Sequence, residues 1–164
     1  MATGDGLLVR MTPTGATMSC QAFAALCAAA RSCGNGVIEI TSRGSLQIRG
    51  LTEGSVQRFA TAVGNIEVPF CEGTPVLINP LAGLDPDEAL DMSAIAAELR
   101  RTLAAAAFLS DLGPKVCIAL DGGGLLHLDA VAADVRMRTE AGGACLIAVA
   151  GDAESATPLG AVAS

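Results

Sequence analysis

Thr41-Ser42-Arg43-Gly44-Ser45-Leu46-Gln47-Ile48-Arg49-Gly50 is the stretch on which the reading of the fold turns. It follows a turn signal, Gly34-Asn35-Gly36, and a short apolar run, Val37-Ile38-Glu39-Ile40. The order reads as strand, tight turn at Arg43-Gly44, and second strand. Side chains on a strand alternate between faces, so Arg43, Ser45, Gln47 and Arg49 fall on one face and Leu46 and Ile48 on the other. The second face packs into a core. The first sets two guanidinium groups, a hydroxyl and an amide in a row, which suits a flat anion with several carboxylates. A solvated outer face of an edge strand fits the same alternation.

Around this hairpin the elements fall into place. Upstream, residues 6–10 read as a short strand, and Met11-Thr12-Pro13-Thr14-Gly15 breaks it. Ser19 caps a helix over residues 20–31, with Phe23, Leu26, Cys27 and Ala30 at helical spacing and Gly34 past its end. Downstream, Thr52-Glu53-Gly54 opens a second helix whose apolar face is Val56, Phe59, Ala60 and Val63, stopping at Gly64-Asn65. The order is β-α-β-β-α. Residues 66–70 are a brief extended piece, and residues 72–75 resemble a linker.

The second part is less regular. Residues 76–84 are apolar but broken by Asn79-Pro80 and Gly83, an ordered loop or a very short strand. Asp85-Pro86-Asp87-Glu88 has the pattern of a helix start. A longer helix spans residues 93–108 with Ile95, Leu99, Leu103 and Ala106 on one face. Residues 115–120 form a strand, Asp121-Gly122-Gly123-Gly124 a hairpin turn, residues 125–138 an extended segment with a break near Ala130, and residues 144–150 a final strand. The tail from Gly151 reads as poorly ordered. The expected class is α+β, a half-domain followed by helices and a small mixed or antiparallel sheet.

Composition narrows the function. A chain of 164 residues makes one domain or slightly more. Aromatic content is 2%, with no Trp or Tyr, so the core must be built from closely packed small side chains. The net charge of −7 argues against general nucleic-acid or anionic-membrane binding, as does the lack of aromatics to stack on bases. A local basic patch remains compatible with it, because salt screens exposed charges beyond about 8 Å. The longest apolar stretch, residues 103–109, is too short to span a bilayer, and the N-terminus lacks the pattern of a signal peptide. Location in the cytoplasm is expected. The six cysteines, Cys20, Cys27, Cys33, Cys71, Cys117 and Cys145, form no CxxC pair and read as apolar filler in a reducing compartment.

Each chemical motif has a structural reading beside it. Asp121-Gly-Gly-Gly124 lacks the following helix and Lys-Ser/Thr pair of a phosphate loop. His127, the sole histidine, has no nucleophile or metal-ligand cluster to join. Asp134-Val135-Arg136-Met137-Arg138 puts Asp134, Arg136 and Arg138 on one strand face and Val135 and Met137 on the other. An exposed face with an internal ion pair fits that pattern too. With Arg43 and Arg49, and with Arg10 and Lys115, these residues make most of a polyanion site. No nucleophile, general base or metal cluster accompanies them. The chain reads as a scaffold for an acidic ligand.

The same residues resemble a known family. Asp5-Gly-Leu-Leu-Val-Arg10, then Gly34-Asn-Gly-Val-Ile-Glu-Ile-Thr-Ser-Arg43 with Gln47 and Gly50, resembles the ferredoxin-like half-domain of nitrite and sulfite reductases. Asn79-Pro-Leu-Ala-Gly-Leu-Asp85, Leu112-Gly-Pro-Lys115, Asp121-Gly-Gly-Gly124 and Ala133-Asp-Val-Arg136 resemble the start of the sirohaem and iron–sulfur domain. Within that superfamily the Pro-Leu-Ala-Gly-Leu-Asp-Pro segment and the Asp-Gly-Gly-Gly turn look most like the precorrin-3B synthase family. The resemblance implies a half-domain over residues 1–70 and a partial sirohaem/4Fe-4S-type domain over residues 71–164. It implies the N-terminal portion of an oxidoreductase of aerobic cobalamin biosynthesis, a precorrin-3B synthase-like monooxygenase whose chain alone is expected to be inactive. It also implies an acidic tetrapyrrole as ligand, for which Arg43 and Lys115 are the matched cations and Arg49, Arg136 and Arg138 are added by their strand alternation. Arg43 matches the arginine facing the tetrapyrrole. Lys115 matches the first lysine of the pair that handles the substrate anion in the reductases, and Cys117 stands where the second would be. The 4Fe-4S cluster, with sirohaem or non-haem iron, is implied for the full-length family, its ligands and the second half-domain lying in a missing C-terminal part or a second subunit. A non-catalytic tetrapyrrole-binding or subunit module, or a piece of a sirohaem nitrite or sulfite reductase, are the alternatives.

Overall fold

The computed structural model describes all residues except 16, 72, 107–111, 114, 141 and 164. The chain divides into two compact units, Met1–Cys71 and Glu72–Ser164.

The first unit contains β1 (Ala2–Thr3), β2 (Gly6–Met11), α1 (Cys20–Cys33), β3 (Ile38–Ile40), β4 (Leu46–Leu51) and α2 (Glu53–Gly64). The strands form one antiparallel sheet in the order β1-β2-β4-β3. The expected β-α-β-β-α order is present, with the short β1 added at one edge. Local chemistry sets the helix starts. The Ser19 hydroxyl accepts a hydrogen bond from the Ala22 amide at 3.1 Å, and Thr52 and Ser55 form a reciprocal capping pair before α2. The helices share one face of the sheet. There Leu26, Ala29 and Ala30 of α1, Leu46, Ile48 and Leu51 of β4, and Phe59 of α2 form a buried core. Each large side chain among them contributes about 1.5–3 kcal/mol by leaving water.

Strict alternation would turn Leu51 outward, yet it is fully buried. The pairing register shifts between Leu7 and Val9 of β2, so that Ile48 pairs with Val9 but Leu51 with Leu7. Gly50, at φ +71°, lies within this irregularity and supplies the conformation that an ordinary side chain resists. The bulge returns Leu51 to the core.

The opening stretch departs from its expected form at one end. β4 begins at Leu46, so Arg43 lies in the turn, outside the alternating strand. Thr41 closes that turn: its carbonyl accepts from the Gly44 amide at 2.9 Å and its hydroxyl from the Ser45 amide at 3.1 Å. Ser45, expected beside Arg43 on an outer face, is buried and shares a 2.9 Å hydrogen bond with the Thr12 hydroxyl. Phe23 and Ala60, expected on apolar helix faces, are exposed; Ala22 and Ala29 lie buried on α1 instead. Residues 66–70 hold only an isolated bridge, Pro13 to Phe70.

The second unit contains β5 (Val76–Ile78), α3 (Ser93–Ala105), β6 (Ile118–Asp121), β7 (Ala133–Thr139), β8 (Cys145–Gly151) and β9 (Thr157–Val162). They make a mixed sheet in sequence order: β5, β6 and β7 are parallel, while β8 and β9 are antiparallel to their neighbours. α3 packs Ile95, Ala96, Leu99 and Leu103 against Val76, Leu120, Met137 and Cys145. The expected helix end at Phe108 lies outside the described residues. The strand expected from Lys115 begins at Ile118.

Three expectations for this unit are corrected. Asp85-Pro86-Asp87-Glu88 opens no helix; its carboxylates are used elsewhere. Asp85 accepts hydrogen bonds from the amides of Asp87 and Leu125 at 3.0 and 2.6 Å, and Glu88 from that of Gly83 at 2.7 Å. The Asp121–Gly124 turn makes no hairpin, because β6 and β7 run parallel and need a crossover loop. The tail is ordered: Asp152 accepts from the amides of Glu154 and Ser155 and from the Ser155 hydroxyl, closing a turn that pairs β9 with β8.

Candidate functional site

In the first unit the polar face of the sheet carries a chain of charges. Arg49 of β4 grips Asp5 with two nitrogens, Nε to Oδ2 at 3.0 Å and Nη2 to Oδ1 at 3.1 Å. Its Nη1 donates to Glu39 Oε2 on β3 at 3.0 Å. Thr3 and Asn35 also donate to Asp5, at 2.7 and 3.1 Å. The bonds from Arg49 first and Thr3 second hold the Asp5 carboxyl far below the usual carboxylate range. On the same face Gln47, with its amide oxygen turned toward Arg10, accepts from Arg10 Nε and Nη2 at 3.3 and 2.8 Å. The two arginines expected to share a site are therefore differently placed. Arg49 staples β4 to β3 and to the loop after β1, whereas Arg43 is exposed at the tip of the β3–β4 turn.

In the second unit the crossover loop is held by a buried polar knot. Asn79 Nδ2 donates to Asp121 Oδ1 at 2.9 Å and to the carbonyls of Gly123 and Leu126 at 2.9 and 3.3 Å. Its Oδ1 accepts from the Gly122 amide at 2.8 Å. Asp121 in turn accepts from the amides of Gly123 and Leu128 at 3.0 and 2.6 Å. Both side chains are at most 2% exposed, so every polar atom of the pair must find a protein partner, and here each does. A Cβ on Gly122 would collide with the Leu90 carbonyl, which is why glycine follows Asp121.

This loop delivers its carbonyls to β7. Arg136, expected on an exposed face, is 3% exposed. It sits between Ala119 of β6 and Ala148 of β8, whose small side chains leave room for it. Its Nη1 and Nη2 reach the carbonyls of Val131 and Leu128 at 3.4 and 3.5 Å. Arg138, two residues along the same face, pairs with Glu140 at 2.8 Å and lies 3.6 Å from Asp129. The Glu140 hydrogen bond, more than any other cause, raises its pKa above the ordinary guanidinium value. Arg136 and Arg138 line a common cleft of about 40 Å³, walled otherwise by Leu146, Ala148, Ala153, Ala156 and Pro158. Lys115 is exposed before β6, and His127 is exposed with Nδ1 3.3 Å from Asp129. A larger concavity in the first unit, about 340 Å³, has Ser19, Gln21, Asn65 and Glu67 in its wall and no cation among its lining residues.

The pairing of Arg136 and Arg138 is thus a feature of the structure that the period of two made legible. Sequence spacing does not point to the partners Asp5, Glu39 and Asp129. Asp5 and Glu39 lie 44 and 10 residues from Arg49, and only the sheet register brings them together.

No grouping of three or more His, Cys, Asp or Glu side chains able to hold a metal occurs among the described residues. Cys27 and Cys33 lie on α1, while Cys117 and Cys145 are buried in the cores of the second unit. This donor set does not fit a 4Fe-4S cluster.

Residues 1–65 match the model of the Nitrite/Sulfite reductase ferredoxin-like half domain. The crystal structure of dissimilatory sulfite reductase I shares the fold, with a TM-score of 0.59 at 14% identity over 80% of this chain and 32% of that one. Nearly the whole chain, 99% of it, is 44% identical to a precorrin-3B synthase from Sinorhizobium sp, to which it is plainly related. The chain spans 36% of that relative's length. No helix among the described residues is long and apolar enough to cross a membrane.

Proposed function

We propose that this chain is the N-terminal portion of a precorrin-3B synthase-like oxidoreductase of aerobic cobalamin biosynthesis, working in the cytoplasm, and that it binds an acidic tetrapyrrole. The observation that carries the reading is the 44% identity along 99% of the chain to a relative named for that activity. In this reading residues 1–70 are the half-domain and residues 71–164 part of a sirohaem/4Fe-4S-type domain. The cluster and its ligands belong to a part of the longer protein beyond this chain, or to a second subunit. The chain alone has no turnover.

The cations divide by role. Arg43, exposed at its turn, and Lys115, exposed before β6, contact carboxylates of the macrocycle; Arg136 and Arg138 contribute through their cleft. Arg49 acts on the ligand only through the frame it holds, because its donors already face Asp5 and Glu39. Cys117 favours this reading over a sulfite or nitrite reductase. It is 1% exposed and supplies no cation where the reductases carry their second lysine.

Arg43→Ala in the full-length enzyme tests the assignment. Weaker tetrapyrrole binding and slower turnover are expected, with folding intact because the side chain lies on an exposed turn. Unchanged affinity and turnover would remove Arg43 from the site.

A further inference from the structure

Three leucines stand open to solvent on two loops of the second unit. Leu84 is 67% exposed, Leu125 75% and Leu126 46%. A single exposed leucine is ordinary. Here the two loops that carry them are tied together. The carboxylate of Asp85, next in the chain to Leu84, accepts from the Leu125 amide at 2.6 Å. The amides of Ala89 and Leu90 donate to the Gly122 carbonyl at 2.9 and 3.3 Å, and Glu88 forms a bridge with Gly123. The Leu126 carbonyl accepts from Asn79, which joins the pair of loops to the buried knot. The leucines are therefore held in place before any contact forms, which lowers the ordering cost of binding.

The charge around them has one sign. Residues 81–91 carry Asp85, Asp87, Glu88 and Asp91 and no Lys or Arg. None of these four carboxylates belongs to an ion pair among the described residues. Hydrogen bonds from the Leu125 and Asp87 amides lower the Asp85 pKa, and those from Ser93 lower that of Asp91, so both stay ionised at neutral pH. Residues 122–131 add no Lys or Arg. Their His127 faces their Asp129, which also lies 3.6 Å from Arg138, and Arg138 is shared with Glu140. No cation on either loop offsets the four charges.

We propose that Leu84, Leu125 and Leu126 form a docking surface for a polypeptide partner whose contact face carries apolar side chains ringed by Lys and Arg. The apolar groups supply affinity as they leave water, and the four carboxylates select the sign of the partner and speed its approach. Neither cavity described above includes the three leucines, so the surface suits a macromolecular face and not an enclosed small molecule. Nucleic acid, an anionic membrane and an acidic tetrapyrrole would each meet like charge here. The inference does not rest on the proposed function.

The test uses the whole chain and two synthetic amphipathic helical peptides as probes, one of Leu and Lys and one of Leu and Glu. The backbone amide signals of Leu84, Leu125 and Leu126 are followed by NMR, and calorimetry gives the affinity. Leu84→Ser with Leu125→Ser removes apolar groups at exposed positions, and circular dichroism checks that the double variant folds. Asp87→Asn removes one exposed charge and leaves the amide ties of Asp85 and Glu88 in place. The Leu/Lys peptide should shift the three amides saturably, and the Leu/Glu peptide should not; this comparison needs no variant. Affinity should fall about tenfold or more in the double variant. In Asp87→Asn it should fall about twofold, as for one exposed charge. No saturable shift at these leucines, equal affinity for wild type and the double variant, or equal binding of the two peptides overturns the proposal. A polycarboxylate porphyrin that shifts the same amides and loses affinity in the double variant also overturns it, and assigns the surface to the tetrapyrrole.

Discussion

Arg49 and Arg136 both lie on interior strands of their sheets, β4 and β7, and have opposite environments. Both lie on strands, on the face of the residue two positions away that sequence alternation pairs with them. Arg49 is partly open to solvent yet fully committed, with Asp5 gripping two of its nitrogens and Glu39 the third. Arg136 is buried yet under-committed, with two long bonds to carbonyls. Exposure is therefore a poor guide to which arginine is available to a ligand. The partners decide, and they come from distant segments: a loop after β1 in one case, the crossover loop before β7 in the other.

That contrast can be broken by substitution. The largest effect belongs to the scaffold of the second sheet. Asn79→Ala would leave the buried Gly122 amide without its acceptor, deprive the Gly123 and Leu126 carbonyls of a donor and take one of its three hydrogen bonds from Asp121. Urea unfolding should show a loss of about 3 kcal/mol or more. A loss under about 1 kcal/mol would mean that the knot is replaceable and that the crossover loop is held by something else.

Arg136→Met comes next and should behave in the opposite sense. It keeps the approximate length of the side chain and removes the uncompensated charge. Stability should be unchanged or raised by about 1 kcal/mol. A fall beyond about 2 kcal/mol would show that the two carbonyl bonds satisfy the guanidinium.

The smallest effect concerns the first sheet, and its signature is pH dependence. The Asp5 carboxyl is held below its ordinary value by Arg49 first and Thr3 second. A depressed folded-state value stabilises the fold above the unfolded carboxyl value, about 3.9. That contribution is lost as pH falls below it toward the lowered folded-state value. Asp5→Asn should therefore unfold at a slightly lower urea concentration than wild type at pH 7. The two curves should converge in strong acid. A gap of constant size from neutral to strong acid would assign the effect to packing and not to the charge.

The same contrast explains how far the sequence could be read. Periodicity of two and of 3.6 was enough for β2, β3, β4 and both helices of the first unit, because these elements are local and each has a cap or turn beside it. It was enough to put Arg136 and Arg138 on one face. It did not reveal burial, since Arg136 is covered by a loop whose position depends on Asn79 bonding to residues more than 40 positions away. Asp85 and Glu88 looked like capping groups because capping and loop-tying use the same chemistry; only the fold shows that the acceptors face Leu125 and Gly83. β9 was missed because Thr157-Pro158-Leu159-Gly160 lacks strand alternation and its residues are exposed, while its pairing comes from the Asp152 turn. Arg43 was placed on a strand that begins three residues later, a displacement produced by the Thr41 turn.

The central claim is that the chain binds a tetrapyrrole through its carboxylates. An absorbance titration of the full chain with a polycarboxylate porphyrin, beside the methyl ester of the same porphyrin, tests it most directly. The account predicts saturable binding of the acid that weakens as salt rises, and little binding of the uncharged ester. Equal affinity for acid and ester, or no binding of either, would contradict it.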